Sequence, residues 1–125
     1  MDYCSLGASQ LKVSKLCLGT MMFGAQTNKS VSGQIIKSAK DNGVNFIDTA
    51  DVYVKGESER VVGELIKPSR DWWILATKAG QPFEDLPNHG GLSKKWLCQS
   101  IEKSLSRLNT DYIDIFYLHR DYEPE

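Results

Sequence analysis

The chain is poor in the features that mark special classes of protein. Its three cysteines, Cys4, Cys17 and Cys98, are an odd and widely spaced set with no CxxC pair and no histidine at metal-ligand spacing. That pattern argues against a disulfide framework and against a metal site; the thiols read as reduced packing residues. No charge of one sign dominates either. Lys plus Arg number 15 and Asp plus Glu 16, which gives no electrostatic reason to expect nucleic acid or an anionic membrane as partner. No apolar run approaches the roughly 18 residues that a membrane helix needs. The N-terminal MDYCSLGASQLK lacks the basic region and apolar core of a signal peptide, so a cytoplasmic location is the expectation. What remains, 41% hydrophobic and 25% charged residues over a length of 125, is the composition of an ordinary soluble protein of one domain.

Within that composition, strand-like and helix-like stretches take turns. Two short apolar runs around Gly7-Ala8-Ser9-Gln10 predict a hairpin over 3–13. A first strand is expected over 15–19. Ser32 is the expected cap of a helix over 34–42, with Ile35, Ile36 and Ala39 on one face and Gly43 in the left-handed position that ends helices. A second strand covers 44–48. Ser58 is then expected to cap a helix carrying Val61, Val62, Leu65 and Ile66, which Pro68 stops, and a third strand covers 72–77. Ser93 opens the clearest helix, where Trp96, Leu97, Ile101, Leu105 and Leu108 make one apolar stripe. The run over 112–118 is almost continuously apolar, the mark of a strand buried on both faces. The Trp72-Trp73 pair reads as packing, the tail 122–125 as a frayed end, and His89, among turn residues, carries no role.

Alternating strands and helices are the grammar of a parallel α/β fold. A doubly wound dinucleotide-binding sheet would show GxGxxG at its first strand-to-helix turn. Here that turn reads Gly19-Thr20-Met21-Met22-Phe23-Gly24-Ala25-Gln26, without that spacing. The favoured architecture is a partial TIM (β/α)8 barrel of about four βα units preceded by the β-hairpin, since a complete barrel takes about 250 residues.

Polar residues stand where the apolar runs end. Asp48 and Tyr53 follow VNFID, Lys78 follows WILAT and His119 follows YIDIFYL. In a barrel the carboxyl ends of the strands carry the active site, which would bring a carboxylate, a phenol, an ammonium and an imidazole together. Each has a bland alternative when taken alone. Asp48 suits a turn cap, Tyr53 a packing aromatic, Lys78 a solvated strand end, and His119 a structural histidine on the face shared with Ile113, Ile115 and Tyr117.

The motifs add weight to the ensemble. Gly43-Val44-Asn45-Phe46-Ile47-Asp48-Thr49-Ala50-Asp51-Val52-Tyr53, then Ser58-Glu59-Arg60-Val61-Val62-Gly63, resembles the signature of the aldo-keto reductase superfamily. Ala76-Thr77-Lys78, Gly91-Leu92-Ser93, Ser104-Leu105-Ser106-Arg107-Leu108, Asp111-Tyr112-Ile113-Asp114 and Leu118-His119-Arg120 continue the likeness in order and approximate spacing. The resemblance implies a catalytic tetrad of Asp48, Tyr53, Lys78 and His119, with cofactor contacts near Thr20, Met21, Gln26 and Asp48. It implies NADPH as cofactor and a small aldehyde or ketone as substrate. In that chemistry Tyr53 is the proton donor, Lys78 favours its ionised form, Asp48 holds Lys78 by a charge-assisted hydrogen bond, and His119 orients the carbonyl.

The resemblance also implies that residues 1–125 are the N-terminal half of such a barrel, with no second domain and without most of the cofactor grip of complete members. Strands meant for a closed ring then leave two unpaired edges, so self-association through those edges is expected. A cofactor-sensing relative of the potassium-channel beta-subunit type, and an inactive truncated remnant, are the alternatives. Channel relatives carry asparagine at the tetrad histidine position, and His119 favours the enzyme.

Overall fold

The computed structural model describes residues 1–121, so the expectation for 122–125 lies outside the described residues. Two antiparallel strands, β1 (Tyr3–Ser5) and β2 (Lys12–Ser14), form the N-terminal hairpin. Four parallel strands follow in chain order, β3 (Cys17–Gly19), β4 (Phe46–Asp48), β5 (Ile74–Ala79) and β6 (Ile115–Leu118). Helices α1 (Lys29–Asp41), α2 (Glu57–Ile66) and α3 (Lys94–Leu108) make the crossovers between them. The result is the expected run of βα units in an open sheet, β3-β4-β5-β6, that does not close into a ring. Among the described residues no helix is long and apolar enough to cross a membrane.

The core lies on the helix side of the sheet. Ile47 of β4 and Leu75 of β5 pack with Ile36 of α1, Val62 and Ile66 of α2, and Leu108 of α3. The crossing of α2 and α3 depends on Gly63, because a Cβ there would lie 2.2 Å from the Leu108 carbonyl oxygen. The hairpin is fastened to the amino ends of the parallel strands. Asn45 Oδ1 accepts from the Ser14 amide at 2.7 Å, Asn45 Nδ2 donates to the Lys12 carbonyl at 2.9 Å, and the Tyr3 hydroxyl donates to the Gly43 carbonyl at 2.6 Å.

Several local expectations need correction. Asn28, not Ser32, caps α1 by accepting from the Val31 amide at 2.9 Å; Ser32 lies inside the first turn, its hydroxyl bonded to the Asn28 carbonyl. Ser58 does not cap α2. That helix starts from Gly56 at φ 94°, and the Ser58 hydroxyl is buried between Thr20 and Thr49. Ser93 does cap α3, accepting from the Trp96 amide, and Gly43 does end α1 at φ 84°. The third parallel strand runs later than expected because residues Lys67–Trp72 wind into a 3-10 helix, with the Trp72 indole donating to the Val44 carbonyl. The fourth is shorter than expected and not buried on both faces: Tyr117 is 39% and Leu118 57% exposed, because among the described residues β6 has no neighbour on its far edge. Residues ahead of it are held instead by Arg70, which donates to Tyr112 O and to Asp114 Oδ2. The cysteines are free, as expected, but all three are exposed rather than packed.

Candidate active site

Register in the parallel sheet places the polar strand ends side by side. Gly19, Asp48 and Ala76 are lateral neighbours, and Lys78 stands beside Tyr117 two positions further along β5. Laterally paired residues share a face, so Asp48 and Lys78 both project from the side away from the helices. There Lys78 Nζ meets Asp48 Oδ2 at 2.7 Å, the Thr49 carbonyl at 2.8 Å and Tyr53 Oη at 3.1 Å. The Lys78 and Asp48 side chains are 15% and 21% exposed, screened enough for the pair to be stronger than a surface ion pair.

Tyr53 reaches this cluster from the turn after β4, where Val54 and Lys55 adopt left-handed φ values of 50° and 52° before Gly56. A β-branched residue at positive φ is held there only by its surroundings. His119 follows β6, its amide donating to the Ala79 carbonyl at 2.8 Å. Its ring stands edge-on to Tyr53 at 5.9 Å between centroids, and Nδ1 is buried without a hydrogen-bond partner among the described residues. Burial, then the Lys78 ammonium, hold His119 below the usual imidazole range, with Asp48 opposing, so the ring is neutral at neutral pH.

The structure thus brings together all four residues Asp48, Tyr53, Lys78 and His119. A cavity of about 360 Å³ beside them is lined by Thr20, Met21, Phe23, Asp48 and Tyr53 among others. Thr20 is buried and its hydroxyl is already bonded to the Asp48 carbonyl at 2.9 Å, so it braces the strand ends. Gln26 is exposed in the loop and is not part of that lining. A second cavity, about 530 Å³, opens on the inner face between Cys17, Phe46, Lys78, Tyr117 and His119.

Sequence reasoning missed a buried support beneath the site. Glu59 is fully buried, accepting from Thr77 Oγ1 at 2.6 Å and from Arg107 Nε at 2.5 Å. The signal was present: Glu59 precedes Val62 by three and Ile66 by seven, a charge on the buried stripe of its helix. Asp51 stands inside the signature quoted above without a role read for it, and its full burial is seen only in the fold.

A run of parallel βα units with an acid/base cluster at the carboxyl ends of its strands defines a β/α-barrel protein with an enzyme-like site. The comparisons make this specific: the aldo/keto reductase family model matches residues 15–125, and the chain belongs to that family. It is 42% identical over 116 residues to the uncharacterized oxidoreductase YqkF of Bacillus subtilis, covering 91% of this chain and 37% of that protein. It is 39% identical over 126 residues to a probable voltage-gated potassium channel subunit beta of Arabidopsis thaliana, covering 96% and 38%. The holo form of aldo-keto reductase AKR11C1 from Bacillus halodurans superimposes with a TM-score of 0.84 at 38% identity, covering 94% of this chain and 40% of that one. The chain therefore spans about two fifths of the length of these relatives.

Proposed function

We propose that this chain carries the acid/base half of an NADPH-dependent reductase of aldehydes or ketones. The observation behind it is the three-way contact of Lys78. An ammonium has three N–H donors and no acceptor. Asp48, the Thr49 carbonyl and Tyr53 Oη take one each, so the phenol oxygen accepts at Lys78 and its own hydrogen is left to point elsewhere. Tyr53 can then protonate the oxygen of a carbonyl as negative charge develops on it. The neutral His119 keeps one ring N–H with which to hold that oxygen. Met21 and Asp48 line the cavity beside Tyr53 and would hold the reacting end of the cofactor. When bound, NADPH supplies the hydride.

The test uses a chimera in which residues 15–125 replace the matching segment of a complete relative. Tyr53→Phe keeps the ring and removes the proton donor, so kcat falls by about 10²-fold or more while NADPH affinity is little changed. Unchanged turnover refutes the assignment. A cofactor-sensing, non-catalytic role is the second reading, favoured by the likeness to channel beta subunits at nearly the same identity as to the oxidoreductase. NADPH binding without aldehyde-dependent turnover in the chimera would select it.

A further inference from the structure

Asp51 has no part in the chemistry above, yet it lies on the turn between Asp48 and Tyr53. It is 1% exposed, and among the described residues neither carboxyl oxygen makes a hydrogen bond of ordinary geometry, although the neighbouring Val52 amide favours its charged form. A buried polar group without a partner is unusual, because its desolvation is then uncompensated. Its backbone is tied to the site. The Asp51 amide donates to the Lys78 carbonyl at 3.1 Å, and Lys78 Nζ returns to the Thr49 carbonyl at 2.8 Å. Tyr53 is joined to the same unit twice, through its amide to the Ala50 carbonyl at 3.3 Å and through Oη to Lys78 Nζ.

The charged groups around the Asp51 carboxyl come from three elements: Glu59 of α2, Arg107 of α3 and Lys78 of β5. Glu59 is already engaged by Thr77 and Arg107, so Asp51 faces a second carboxylate with no cation in hydrogen-bond contact. Burial first and Glu59 second push Asp51 up to about 6, while the Val52 backbone amide, then Arg107 and Lys78, oppose the shift.

We propose that Asp51 is a positioning residue of the Lys78–Tyr53 pair: its carboxyl takes up and releases a proton inside the folded core, and its charge state changes the field and hydrogen bonding at that pair. The functional consequence rests on the acid/base reading of Lys78 and Tyr53. The proton coupling itself is measured without turnover, so a failed activity test leaves it standing.

The experiment is an NMR titration of the 125-residue chain, following the Asp51 carboxyl carbon, the Tyr53 ring and the Lys78 Cε. The expected Asp51 midpoint is about 6, with the Tyr53 and Lys78 signals moving in step. That step disappears in Asp51→Asn and persists in His119→Asn, which removes the other titrating group against Tyr53. The folded carboxyl holds its proton more tightly than the unfolded one, so stability falls as pH rises from the ordinary carboxyl range to about 6 and is level above it. Across that window the folding constant of the wild type falls by about 10²-fold relative to Asp51→Asn. An Asp51 carboxyl that titrates at the ordinary value overturns the proposal. So does a Tyr53 and Lys78 response that ignores Asp51, or one that is lost with His119→Asn. Should Asp51→Asn not fold, the titrations of the wild type and His119→Asn still decide between these outcomes.

Discussion

On the helix side of the sheet Ile47 and Leu75 are fully buried against α1, α2 and α3, and behind them Glu59 and Arg107 close a buried ion pair. On the opposite side Cys17 is exposed, Phe46 is half-buried, and Tyr117 lies open beside Lys78. The difference teaches a division of labour across one sheet. Burial against the helices holds the strands in register, and the register then sets the distances among Asp48, Lys78 and Tyr53 on the face that is only partly covered, more so at Ala76 and Lys78 than at Cys17 and Tyr117. The chemistry sits on the less stabilised side, carried by a framework stabilised from the other.

The sharpest way to break this comparison is to cut the support on the helix side. Arg107→Ala leaves Glu59 buried and unpaired, and should destabilise the chain by about 3–5 kcal/mol in denaturant unfolding. The Glu59→Gln/Arg107→Met pair removes both charges and should recover much of that loss. Leu75→Ala opens a cavity in the same layer and should cost about 2–5 kcal/mol by the same measurement. A loss under about 1 kcal/mol in either case would show that the helix side is not what holds the sheet.

The inner side is probed by smaller effects. We propose that the open edges of β3 and β6 mediate self-association; Leu118→Lys places a charge on one edge and should weaken it by about tenfold, roughly 1.4 kcal/mol, in sedimentation equilibrium. A monomeric wild-type chain would remove this proposal. Phe46→Ala, on the half-buried face, should cost less than about 1 kcal/mol. If it costs as much as Leu75→Ala, the two faces are equally packed and the contrast fails.

Much of the architecture was legible because it rests on periodicity. The stripe from Trp96 to Leu108 and the cap at Ser93 mark α3, and the left-handed end of α1 is announced by Gly43. The misplaced helix starts have two causes. Ser32 looks like a cap, but Asn28 caps one turn earlier and the Ser32 hydroxyl bonds back to the Asn28 carbonyl, whereas the Ser58 hydroxyl bridges the ends of β3 and β4, a contact between residues 38 apart for Thr20. Of the site, the four residue types at the strand ends could be named in advance. Gln26 and Thr20 could not be sorted, because whether a loop side chain faces a cavity or the core is set by packing.

By itself the sequence determined the order of strands and helices, their parallel character and the identity of the polar groups at the strand ends, since these follow from local spacing and from apolar runs. Only the tertiary structure decided that Lys78 divides its three donors among Asp48, Thr49 and Tyr53, and that Glu59 is paired while Asp51 is not. The physical reason is that hydrogen bonding and desolvation depend on distances of a few tenths of an ångström between residues far apart in the chain. Those distances are fixed by strand register and by how closely α2 approaches α3 at Gly63, where the chain's periodicity carries no information.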